Sequence, residues 1–155
     1  MHKNYSPARH TKNIPSSGES PNWAPAVIEF AQTVEDAIAS AVGQYDIPNK
    51  TFTLVNPVDT TPLAISDLSF PTSAVRAAFV KYSVIRITSS ETKTETGNIM
   101  VVYDGSSWTL GRDYVGDANC AFDITSTGQI RITTTALTGT YTSGKISFSA
   151  QALVQ

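Results

Sequence analysis

The spacing of the apolar residues changes near Gln44, and that change limits what this chain can build. Between Asn22 and Val42, apolar side chains recur at alternating steps of three and four: Val27, Phe30, Val34, Ala37 and Ala41. From Lys50 onward they recur at every second residue. Steps of three and four gather side chains on one side of a helix; a step of two gathers them on one face of a strand. A chain that keeps the second pattern to its end, with no helical stretches between strands, makes an antiparallel sheet fold rather than an α/β one. The expectation is therefore a mainly β protein: an antiparallel β-sandwich of about eight strands preceded by an extended N-terminal arm and one amphipathic α-helix.

Three segments follow: an arm over 1–21, a helix over 22–43 and a sandwich over 49–155. The arm holds Pro7, Pro15 and Gly18 among polar residues and lacks the apolar core of a signal segment. Lys3, Arg9 and Lys12 precede the first acid, Glu19, so the arm is basic and suited to ordering against a partner. In the helix, Asn22 is placed to cap the first amides, Pro25 falls in the first turn, and Gly43 is placed to end it. Ala31, Ile38 and Val42 widen the stripe. A narrow seam suits association between copies and a wider one suits packing on a globular surface; the pattern leaves both open.

Downstream, Phe52 and Leu54 alternate with Thr51 and Thr53, and Leu63, Ile65, Leu68 and Phe70 follow. Arg76 to Thr88 is apolar on both sides in places and reads as a central strand. Ile99, Val101 and Tyr103 lead to an Asp104-Gly105 turn, then Trp108 and Leu110. Phe122 and Ile124 precede a turn at Thr127-Gly128, then come Ile130 and Ile132, and finally Ile146, Phe148, Ala150 and Ala152. Charged residues are only 15% of the chain, yet 41% apolar content suffices for a core, with Ser and Thr keeping the sheet surfaces soluble.

Chemistry is hard to place on this pattern. Both histidines, His2 and His10, lie in the arm, where nothing fixes an imidazole beside a nucleophile. Asp113 and Asp117, read as flanking a Tyr114-Val115-Gly116 loop, are too few for the oxygen shell of a hard cation and suit turn capping. The lone cysteine, Cys120, allows no intrachain disulfide and reads as a small buried thiol. Neither a phosphate loop nor a dinucleotide fingerprint occurs. No enzyme activity, cofactor or metal is expected. Formal net charge is −2 and the basic residues of the sheet region are scattered, which argues against nucleic acid; no run is long enough to cross a bilayer as a helix. Tyr103, Trp108 and Tyr114 are the candidates for an aromatic ligand platform. Val27, Phe30, Val34, Ala37 and Ala41 are the candidates for oligomerisation or anchoring.

One resemblance sharpens this reading. Ser73-Ala74-Val75-Arg76, Tyr82-Ser83 with Arg86, Gly97, Tyr103-Asp104-Gly105 with Trp108, and Val115-Gly116-Asp117 occur in an order that resembles a small β domain of tailed-bacteriophage structural proteins. Phe122 to Thr125, Gly128-Gln129, and Ser143-Gly144-Lys145 with Phe148 continue it, and Trp23 before an alanine-rich helix is similar to the leaders of such proteins. The resemblance implies a virion component: a multimeric capsid decoration or short fibre or adaptor subunit, with a trimer expected. It also implies attachment to capsid, collar or tail proteins through residues 1–45. The alternative it allows is a receptor- or carbohydrate-binding tail-fibre module.

Overall fold

The computed structural model describes residues 24–41 and 43–155, and within the helix the side chains up to residue 37. The arm and Asn22 lie outside the described residues. The described residues fall in two units, the helix and residues 43–155.

In the first unit, α1 spans Ala24–Ala41. Pro25 sits in its first turn, where the missing N–H costs no hydrogen bond. Thr33 Oγ1 donates to Glu29 O at 2.9 Å, one turn back. Val27, Ile28, Phe30 and Val34 are exposed on the helix.

The second unit is built of eight strands: β1 (Ile47–Thr53), β2 (Leu63–Ser69), β3 (Val75–Thr88), β4 (Thr92–Tyr103), β5 (Trp108–Gly116), β6 (Cys120–Ile124), β7 (Gln129–Thr134) and β8 (Tyr141–Val154). They form two antiparallel sheets, one ordered β1-β8-β3-β4-β5 and the other β2-β7-β6. The long strand read as central is β3, in the middle of the larger sheet.

Alternation sets the core. Val80, Tyr82 and Val84 of β3, Ile99 and Val101 of β4, and Ile146, Phe148 and Ala150 of β8 point inward. They meet Ile65 and Leu68 of β2 and Ile130 and Ile132 of β7. Each fully buried side chain of this size stabilises by about 1.5–3 kcal/mol, and a register slip of one residue would turn the whole set outward.

Turn chemistry fixes the register. Asp104 Oδ1 accepts from the amides of Ser106 and Ser107 at 2.7 Å each, closing the β4–β5 turn. Those two amides hold its carboxyl below the usual carboxylate range. At the β6–β7 turn Gly128 has φ 87°, and a Cβ there would stand 1.9 Å from Phe70 O. Only glycine lets these backbones meet.

One segment differs from its expectation. Tyr114-Val115-Gly116 is not a loop: it is the end of β5, paired residue by residue with Glu95–Gly97 of β4. Gly97 is the reason that pairing is close, since a Cβ there would lie 2.2 Å from Asp113 O. Asp113 therefore projects from a strand, and Asp117 caps the turn that follows, accepting from Asn119 N at 2.7 Å.

Candidate functional site

The oligomerisation candidates sit on α1, and Val27, Phe30, Val34 and Ala37 are all exposed. The side chain of Ala41 lies outside the described ones. Phe30 is the largest of the set.

The aromatic candidates do not converge. Trp108 is 9% exposed and belongs to the core. Tyr103 packs on it with ring centroids 5.1 Å apart, and Phe70 lies 6.5 Å from it on another side. Tyr114 stands six residues further along β5, roughly 20 Å away at the rise of a strand. It is 45% exposed, and its ring carries the Arg112 guanidinium 4.0 Å from its centroid. A flat platform for one ligand needs all three rings on one exposed patch; here one is interior, one leans on it, and the third stacks on a cation.

The interior holds two polar clusters instead. Glu95 of β4 is 2% exposed and accepts from Tyr82 Oη at 2.7 Å, Arg112 Nη1 at 2.7 Å and Ala118 N at 3.3 Å. Cys120 Sγ lies 3.8 Å from the same carboxylate. Burial, then the Glu95 charge, pushes the Cys120 thiol up to about 12. Burial and the Glu95 hydrogen bond likewise raise the Tyr82 phenol. Burial works against the Arg112 cation, but Glu95 overrides it and the net shift is upward. A thiol held protonated is a poor nucleophile and metal ligand, and every strong donor around Glu95 is already committed to it.

Arg86 of β3 is fully buried and forms the second cluster. Its Nη1 donates to Ala118 O at 2.8 Å and Asn119 O at 3.0 Å; its Nη2 donates to Pro57 O at 2.7 Å and Thr135 O at 2.8 Å. One guanidinium thus ties together the β1–β2, β5–β6 and β7–β8 connections. Its planar fork suits this task, which an ammonium could not span. Thr88 Oγ1 reinforces the same end of the sandwich, donating to Thr138 O at 2.6 Å. Nearby, Asp59 accepts from Asn56 Nδ2 at 2.8 Å, and its amide donates to Thr134 Oγ1 at 2.8 Å.

Neither cluster was among the candidates read from the sequence, although a signal was present. Arg86 shares the inward parity of Val80, Tyr82 and Val84, and Glu95 shares that of Ile99 and Val101. A charge at an inward position of an alternating strand must be satisfied internally. Among the described residues no group of three or more His, Cys, Asp or Glu side chains is arranged to hold a metal ion.

No protein-family model matches the chain, and no curated protein does. Among solved structures, the tailspike protein of Acinetobacter phage vB_ApiP_P1 is similar over 68% of this chain and 22% of that one, with a TM-score of 0.49 and 13% identity. This chain therefore spans about a fifth of that protein's length.

Proposed function

We propose that this chain is a structural subunit of a tailed-phage virion, a decoration or short fibre or adaptor protein. Residues 1–45 attach it to its own copies and to capsid, collar or tail proteins, and the sandwich is presented outward. The observation that carries this reading is α1, a helix whose apolar stripe at Val27, Phe30 and Val34 is exposed. Exposed apolar surface arranged along one element marks a contact. The interior of the sandwich supports a non-catalytic role, because its buried charges, Arg86 and Glu95, hold loops and strands to one another.

The test is a pair of full-chain variants. Phe30→Glu with Val34→Glu should lower the mass of the assembly in sedimentation while leaving the β circular-dichroism signature and melting temperature of the sandwich unchanged. In a particle-assembly assay the same variant should fail to incorporate. An unchanged mass together with normal incorporation would remove α1 from the role assigned to it.

A further inference from the structure

The outer face of the larger sheet carries side chains that the core does not explain. Phe79 is 50% exposed, Met100 42% and Val102 53%. They are in register: across β3, β4 and β5 run the rows Ala77–Val102–Thr109, Phe79–Met100–Gly111, Lys81–Asn98–Asp113 and Ser83–Thr96–Val115. Soluble sheets that face water normally show polar side chains there. Here apolar residues fill the middle of two adjacent rows, and the next row has a cation on β3 and an acid on β5. Among the described residues neither Lys81 nor Asp113 takes part in an ion pair. Grooves of about 360 and 330 Å³ flank the face, and Lys81 and Asn98 line both.

This surface is complementary to itself. We propose that a second copy of the chain docks on it face to face, about a twofold axis that runs along β4 between the two sheets. Facing sheets pack roughly 10 Å apart with strands nearly aligned. Such an axis sets β4 against β4 and sets each β3 against the β5 of the other copy. Every row then meets itself reversed. Lys81 of one copy faces Asp113 of the other, and the pair occurs twice, as an isologous contact requires. Phe79 faces Gly111, whose missing side chain leaves open space: a Cβ there would touch nothing within 4 Å. The largest side chain of the face thus meets the only position in its row without one. Met100 and Val102 meet their own copies at the axis. No other placement of β4 on β4 pairs the cation with the acid and the phenyl ring with the gap at once.

The contact is separate from the one proposed for α1, and the experiment keeps the two apart. In the full chain carrying Phe30→Glu and Val34→Glu, sedimentation over a range of concentrations should still show a monomer–dimer equilibrium. Adding Lys81→Glu or Asp113→Lys alone should weaken that dimer by at least about tenfold, because each leaves like charges facing. Combining the two restores opposite charges and should bring the dimer back to near its starting affinity. Asn98→Cys, placed on the axis with its copy roughly 10 Å away across the facing sheets, should be captured as a covalent dimer by a short bis-maleimide linker, while the parent chain with Cys120 alone should not. The proposal is overturned if the single reversals leave the dimer unchanged, if the double reversal is as weak as the singles, or if Asn98→Cys fails to cross-link. A fall in mass that stops at the dimer on Phe30→Glu and Val34→Glu speaks to the α1 contact; a monomer at every concentration overturns the sheet-face contact, and a dimer insensitive to Lys81 and Asp113 speaks only to the sheet face.

Discussion

Replacing Arg86 by Met separates two opposed effects whose sizes can be worked from the structure. The side chain is fully buried and donates four hydrogen bonds to backbone carbonyls of three connections. Hydrogen bonds from a charged donor contribute about 1.5–3 kcal/mol each, which is roughly 6–12 kcal/mol gross for four. Burial of an ion costs several kcal/mol in return, and burial is the first cause of the lowered guanidinium pKa. Methionine recovers that cost and fills most of the volume, but it leaves the carbonyls of Pro57, Ala118, Asn119 and Thr135 without their donor. The expected net loss is about 3–5 kcal/mol, the range for removing one partner from a buried charged network. For a domain of this size that is a fall of roughly 10–25 °C in melting temperature. Arg86→Lys keeps the charge but has three donors on a single nitrogen, so about half the loss is expected. Urea denaturation gives the free energies. Hydrogen exchange gives the location: Thr134 N, which donates to Asp59 O at 2.9 Å, and Thr135 N, which donates to Asn119 O at 3.0 Å, should exchange earliest in the Met variant. A Met variant within about 1 kcal/mol of the parent would mean that desolvation cancels the four bonds, and the account of Arg86 as the knot of three loops would fail.

Three further outcomes are expected. Glu95→Ala strips the acceptor from Tyr82, Arg112 and Ala118 N together and should cost about 3–5 kcal/mol in denaturant unfolding; a loss below about 1 kcal/mol would make that network energetically idle. Cys120 has a folded pKa raised from 9.0 to about 12. Because the folded value lies above the unfolded one, its contribution to stability is complete below about pH 9 and declines as pH rises towards about 12, and alkylation at pH 8.5 should be roughly a thousandfold slower in the native state than in urea. Equal alkylation rates in the two states would contradict that burial. Trp108→Ala empties the space between Phe70 and Tyr103 and should destabilise by about 3–5 kcal/mol; a variant that melts normally but has lost glycan or cell binding would return Trp108 to the surface role first considered for it.

The strands were legible because nothing competes with alternation in them. In β7 and β8, Ile130, Ile132, Ile146 and Phe148 alternate with Arg131, Ser147 and Ser149, and that pattern alone gives the direction of each side chain. The Asp104-Gly105 turn was legible because its chemistry is local. What local patterning misread was the end of β5: Asp113 to Gly116 holds polar, aromatic, aliphatic and glycine residues and looks like a loop. It is a strand because Gly97, sixteen or more residues earlier in the chain, lets β4 come close enough to pair with it. The ring candidates failed to converge for a related reason: spacing along one strand keeps parity but says nothing of distance, so Trp108 and Tyr114 share a face and stand at opposite ends of it.

The same rule that hid Arg86 and Glu95 governs the outer face. A period of two assigns inward and outward but treats the inward set as uniformly apolar and the outward set as uniformly wet. This sandwich breaks both halves of that rule, and the two breaches are not equivalent. An inward charge must find partners within its own chain, because leaving it unpaired costs more than the fold can spare. Arg86, through its two terminal nitrogens, and Glu95 have found theirs, although Arg86 Nε is buried without a partner, and so they explain stability. An outward phenyl ring carries no such demand and is tolerated singly. Phe79, Met100 and Val102 are not single: they adjoin in register, beside a cation and an acid placed at mirrored distances from β4. Packing within one chain gives no reason for that placement, whereas a twofold contact between chains requires it.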